Sequence, residues 1–180
     1  MTQHEYVFVA ISIILGLAIT RLLHTGAMLI RAQRRVTFHW STAVWGLCIM
    51  VYILQLWWVG WGLRTMEAWH FFNFLVLTAA SIFVYGAAEM ALPVPESDNK
   101  LNFLDHSQGQ GRISALSMLL YFLLGPYVNI AMFGNEVAAS VAVPAAGIII
   151  TSMVVLLPQW FPAITLTFAA YSAFIVYVTI

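Results

Sequence analysis

Six apolar runs, each about as long as a bilayer is thick, decide what this chain can become. They extend over Tyr6 to Ile30, Trp40 to Leu63, Ala68 to Leu92, Ile113 to Phe133, Val137 to Leu157 and Ala163 to Ile180, each bounded by charge, proline or tryptophan. A helix rises about 1.5 Å per residue and the hydrocarbon core is about 30 Å thick, so about 20 apolar residues cross it once. Backbone amides find no water in that core, and each run must therefore be helical. The expected fold is all-α: an integral membrane bundle of six transmembrane helices. Asn135-Glu136 and Pro158 to Pro162 are short connections, so the fallback is five spans plus a re-entrant segment within the last 44 residues.

Composition leaves no space for a soluble domain. Only 8% of residues are charged and 62% are apolar, where a soluble domain carries about 25% charged residues. Residues 1–180 read as a single transmembrane domain, with 93–112 as a cytoplasmic loop containing Glu96, Asp98, Lys100, Asp105 and a short turn around Leu101 to Leu104. Seven basic residues balance seven acidic ones, which argues against nucleic acid and makes the lipid bilayer the first partner. A second copy of the chain or a larger membrane complex is the protein partner to consider. Cys48 is the single cysteine, which excludes an intramolecular disulfide and any Cys-based zinc or iron-sulfur centre. No positive n-region precedes the first run, which exceeds a signal peptide's apolar stretch and is expected to be retained.

Orientation follows from the short loops, because basic residues resist translocation. Arg31, Arg34, Arg35, Lys100 and Arg112 fall on one side and Arg64 on the other. This places those loops in the cytoplasm and both termini outside. Trp57, Trp58, Trp61 and Trp69 then collect at the outer boundary and Trp40 and Trp160 at the inner one, as headgroup-level aromatics do.

Small and polar residues recur every three or four positions in each span. Ser12, Gly16, Thr20 and His24 do so in the first, and Thr78, Ser81, Tyr85 and Glu89 in the third. Cys48, Tyr52 and Gln55 follow in the second, and Ser114, Ser117, Tyr121, Gly125 and Asn129 in the fourth. Ser140, Pro144, Gly147 and Thr151, then Thr165, Ala169 and Ser172, complete the set. Close packing of small residues accounts for such stripes without further function, and the stripes are expected to face neighbouring helices. Ala138, Ala142 and Ala146 form a ladder of the same kind. Pro126 and Pro144 kink their spans, which serves a static bend as readily as a gate.

Ionisable side chains inside the membrane are a sharper signal, since a central charge costs about 2.5 to 3.5 kcal/mol on insertion scales. Arg21 lies ten residues before Arg31, about 15 Å into the core, and Glu89 about 6 Å inside Pro93. An Arg21 to Glu89 ion pair with His24 one turn below forms the candidate intramembrane site. Its plain reading is a pair that fixes helix register; its functional reading is a solute or proton site. Gln55, Asn73 and Asn129 share a depth nearer the outer side and form a second polar cluster, with interhelical amide hydrogen bonds as the default explanation. No metal site or cofactor is expected: His4, His24, His39, His70 and His106 never recur at i, i+3 or i+4, and a bis-histidine haem needs two imidazoles at matched depth. Nothing resembles HExxH, GxSxG, GxGxxG or a P-loop.

The segments Glu5 to Phe8, Ser12 to Leu23 and Arg31 to Arg35, with the pair Trp57-Trp58 and the Phe-rich start of the third span, resemble an uncharacterised family of small multi-pass bacterial inner-membrane proteins. The resemblance covers residues 5–90 and implies a bacterial inner-membrane location, but no activity. Two functions follow as expectations: a small transporter or oligomeric channel with its site at Arg21, His24 and Glu89, or a non-enzymatic accessory subunit of a larger membrane complex. No nucleophile with an adjacent base can be named, so an enzyme is not expected.

Overall fold

The computed structural model describes residues 2–66, 68–95 and 101–179. Glu96, Asp98 and Lys100 of the expected loop lie outside the described residues. Within them, α1 spans Gln3–Arg31, α2 Trp40–Gly62, α3 Phe71–Ala91, α4 Phe103–Gln108, α5 Gly111–Tyr127, α6 Val137–Leu156 and α7 Phe161–Thr179. Six of these helices, counted with their short continuations, are long and apolar enough to cross a membrane, and α4 is the short exception. The fallback of a re-entrant segment is not adopted: Val137–Leu156 and Pro158–Thr179 are both of spanning length.

Local chemistry sets the helix ends. Thr2 Oγ1 accepts from the Glu5 amide while the Glu5 carboxylate accepts from the Thr2 amide, a reciprocal cap that closes the first turn of α1. His39 caps α2 through its Nδ1. Asn102 Oδ1 accepts from the Leu104 amide and starts α4. After Pro126 the chain widens into a π-helical turn over Val128–Met132, as expected where a proline removes one i→i−4 donor. Gly134, at φ 69°, then ends the helix in the left-handed region that a side chain would oppose.

The bundle is built around α3, which packs on α1, α2 and α5, while α5 packs on α6 and α2 on α7. Its middle is an aromatic stack: Trp45 and Phe168 lie 4.6 Å apart between ring centroids, Tyr52 and Phe168 5.5 Å, and Tyr52 and Phe122 5.2 Å. Gly147 lets α5 and α6 approach closely, since a Cβ there would fall 2.8 Å from the Phe122 ring. The outside is the inverse of a soluble surface, with Ile13, Leu17, Leu47, Leu54, Ile82, Leu123, Ile149 and Leu166 all exposed. Apolar residues face outward because the surrounding solvent is lipid.

The polar stripes of five spans point inward, as expected. Ser81, Ser114, Ser140, Thr151, Thr165 and Ser172 are all buried. The first span is a correction. Its buried face is Val7, Ile11, Leu15, Ala18, Leu22, Thr25 and Leu29, while Thr20 and His24 are exposed. The bulky aliphatic row gives the larger packing surface to α3, and Thr20 needs no neighbour because its hydroxyl donates to the Gly16 carbonyl of its own helix (2.8 Å). Ala138 and Ala142 also lie exposed rather than in a helix contact.

One end of the bundle is rich in arginine and the other in tryptophan. Arg31, Arg34, Arg35 and Arg112 gather at the first, where Val36-Thr37 pairs in parallel with Leu101-Asn102. At the second, His4 Nε2 donates to the Gly60 carbonyl (2.9 Å), and His4, Phe8 and Trp69 form a ring cluster.

Candidate functional site: an ion pair above a polar cavity

The Arg21 Nη2 and Glu89 Oε1 atoms are 2.7 Å apart. The two residues stand at very different heights in their helices, ten residues before the end of α1 and two before the end of α3. They meet because α3 stops short and α4 closes the space beneath it. His106 Nε2 donates to the Met90 carbonyl (3.2 Å), joining α4 to the end of α3. On its other side, α4 meets the start of α2: Thr42 Oγ1 donates to the Phe103 carbonyl (3.0 Å) and lies 2.6 Å from Ser107 Oγ.

The pair is not sealed. Both side chains keep about a third of their surface, 31% and 28%, and they border a cavity of about 650 Å³ that is also lined by Asn102, Asp105, His106 and Gln110. Tyr85 Oη donates weakly to Glu89 Oε2 at 3.5 Å. Among the described residues the buried Arg21 Nε has no hydrogen-bond partner, so the guanidinium carries one donor more than they satisfy. Burial pushes the His106 imidazole below its ordinary value, only partly offset by its bond to the Met90 carbonyl.

Of the sequence-predicted site, Arg21 and Glu89 come together and His24 does not. Three residues further along α1, His24 is turned about 60° from Arg21, and it is exposed on the outer side. The histidine that joins the cavity is His106, which the sequence reading left in a loop. The signal for it is Asn102 followed three residues later by Asp105, a helix-start pattern.

The second cluster divides. Gln55 and Asn129 share a cavity of about 100 Å³ with Tyr52, Tyr121 and Tyr171. Asn73 stands apart, its Oδ1 accepting from Tyr127 Oη at 2.7 Å. Gln55 Oε1 accepts from Tyr121 Oη at 3.4 Å. Both are interhelical hydrogen bonds to an amide, with a tyrosine hydroxyl of α5 as the donor in each. Among the described residues no three His, Cys, Asp or Glu side chains gather as a metal site.

A second polar chain fixes the arginine-rich half. Trp45 Nε1 donates to Ser114 Oγ (2.9 Å), which donates to the Ala87 carbonyl (2.8 Å), tying α2, α5 and α3 at one level. The surrounding core is mainly aliphatic, with Leu15, Ala18, Ile49, Ile53, Leu77 and Val84 buried alongside Ser81.

These features define a multi-pass helical membrane protein with a polar cavity at its arginine-rich end. Comparison with protein-family models, with curated proteins and with solved structures returns no match.

Proposed function

We propose that this protein is a small transporter of the bacterial inner membrane that takes a charged or zwitterionic solute into the Arg21–Glu89 cavity from the cytoplasm, with both termini outside. The observation that carries this reading is an ion pair opening into a cavity of about 650 Å³ beside Asp105 and His106. A pair that served register alone would gain most from full hydrogen bonding of both partners. This one leaves Arg21 Nε without an acceptor among the described residues. Opposite charges side by side fit a solute carrying both an anionic and a cationic group, which would exchange partners with the pair as it binds. Support for the orientation comes from Arg31, Arg34, Arg35 and Arg112 at the cavity's end of the bundle.

One observation favours a second reading, a non-enzymatic accessory subunit. The core is mainly aliphatic and aromatic and is closely packed, so transport through one protomer requires helix movement or assembly of several copies. Counterflow of labelled amino acids into proteoliposomes separates the readings. Accumulation by the wild type, lost in the folded Arg21→Met/Glu89→Gln protein, supports transport. No accumulation of any amino acid, together with no effect of amino acids on wild-type thermal stability, leaves the accessory reading in its place.

A further inference from the structure

A different part of the arginine-rich end carries an inference independent of that cavity. Between α1 and α2 runs an apolar cleft of about 730 Å³, with Leu22, Gly26, Ile30, Ala43 and Leu47 among its walls. Small residues hollow it out. A Cβ built at Gly26 meets nothing within 4 Å, so the cleft is open there, whereas at Gly46 it would fall 3.2 Å from Leu92, which closes the back. The rings of Phe38 and Phe103, 5.4 Å apart, bound its lower end. From Leu22 to Ile30 the helix rises about 12 Å, close to the roughly 15 Å depth of one bilayer leaflet's hydrocarbon.

The rim differs from the walls. Arg31 and Arg34 follow directly on the wall residues Ile30 and Gln33, and both are exposed; Trp40, at the start of α2, is 40% exposed. Among the described residues lining the cleft there is no Asp or Glu. The cleft is therefore apolar along its walls, with two exposed arginines next in sequence to its wall residues Ile30 and Gln33. Guanidinium groups bind phosphate in two-point fashion, and basic pockets between spans select anionic headgroups.

We infer that this cleft is a binding site for an anionic phospholipid, with one acyl chain lying along Gly26 and the phosphate held by Arg31 and Arg34. An added positive residue at a membrane surface contributes roughly a five-fold preference for anionic lipid, so two give a preference well above that of the bulk annulus.

The test is native mass spectrometry of the detergent-purified protein mixed with equimolar phosphatidylglycerol and phosphatidylcholine of identical chains. The wild type should retain one phosphatidylglycerol at least about five-fold over phosphatidylcholine. Arg31→Gln/Arg34→Gln, both exposed and outside the core, should bring the ratio to about one. Gly26→Leu, which fills open space, should reduce retention of both lipids. Equal retention by the wild type would overturn the site, as would a preference that survives the double substitution. Loss of the bound lipid to inorganic phosphate alone, with Gly26→Leu unaltered, would overturn it in favour of a simple anion site.

Discussion

The arginine-rich and tryptophan-rich halves of this bundle handle buried polarity in opposite ways. In the first, a full ion pair stands beside a cavity of about 650 Å³; in the second, neutral amides are satisfied by tyrosine hydroxyls around about 100 Å³. Charge and cavity volume go together for a physical reason. Two ions removed from water lose several kcal/mol each, and partial access to a polar cavity recovers part of it. Neutral tyrosine-to-amide bonds need no such access, so the other half can close around them.

The largest effect should come from breaking the ion pair. Arg21→Met or Glu89→Gln leaves one charge without its partner, which costs about 2.5 to 3.5 kcal/mol at the bilayer centre; the open cavity reduces this, and a loss of about 1 to 3 kcal/mol is expected for each. The double substitution should lose less than the sum, measured as a double-mutant cycle on unfolding in detergent. Strict additivity would show that the two charges do not stabilise one another. His24→Ala, on the exposed side of α1, should fall within about 0.5 kcal/mol of wild type in the same assay.

Next in size is the neutral chain that joins three helices in the arginine-rich half. Ser114→Ala removes the acceptor of the buried Trp45 N–H, and an unsatisfied buried donor costs about 1 to 3 kcal/mol. Membrane reference states soften such losses, so about 1 to 2 kcal/mol is expected by thermal unfolding, with Ser114→Thr closer to wild type. If Ser114→Ala were neutral, the fixed geometry of this half would rest on packing alone.

Much of this arrangement could be read from the chain before any coordinates, and the misses share a cause. Helix number and the contact of Arg21 with Glu89 follow from hydropathy and charge, because both signals are large against the cost of burying them. The face of α1 does not. Its Ser12, Gly16, Thr20 and His24 repeat has nearly the spacing of the Thr78, Ser81, Tyr85 and Glu89 repeat of α3, yet Thr20 and His24 turn away from the bundle while Ser81 turns in. A hydroxyl satisfied by its own backbone, as at Thr20 and Ser81 alike, is indifferent to lipid or protein, so the aliphatic row decides. His106 was missed because a six-residue helix carries too few periodic positions to register, leaving only the Asn102 cap as a signal.

Acid should separate the two halves. His106 titrates below its ordinary value of 6.5 because it is buried, so the unfolded chain takes up a proton before the folded one does. Its contribution to stability is present above about pH 6.5 and is lost as pH falls through the folded value. Arg21, Glu89 and Asp105 border the same cavity and set its charge. Unfolding temperatures should therefore fall between pH 7 and pH 5 in the wild type and fall less in His106→Gln. An equal fall in both would assign the acid sensitivity to the carboxylates.

The smallest effects belong to the tryptophan-rich half, where they grade the two tyrosine-to-amide bonds. Tyr127 Oη reaches Asn73 Oδ1 at 2.7 Å, within the usual range for a hydroxyl donor, while Tyr121 Oη reaches Gln55 Oε1 only at 3.4 Å. Interhelical hydrogen bonds in membranes average about 0.6 kcal/mol. Tyr127→Phe should lose about that amount, because Asn73 is 7% exposed and has little other solvent to turn to. Tyr121→Phe should lose less, since its bond is long and Gln55 borders a small cavity. Both are measured by detergent unfolding against wild type. A larger loss for Tyr121→Phe would mean that the weaker geometry hides a tighter bond in the membrane, and that this half is less sealed than its distances indicate.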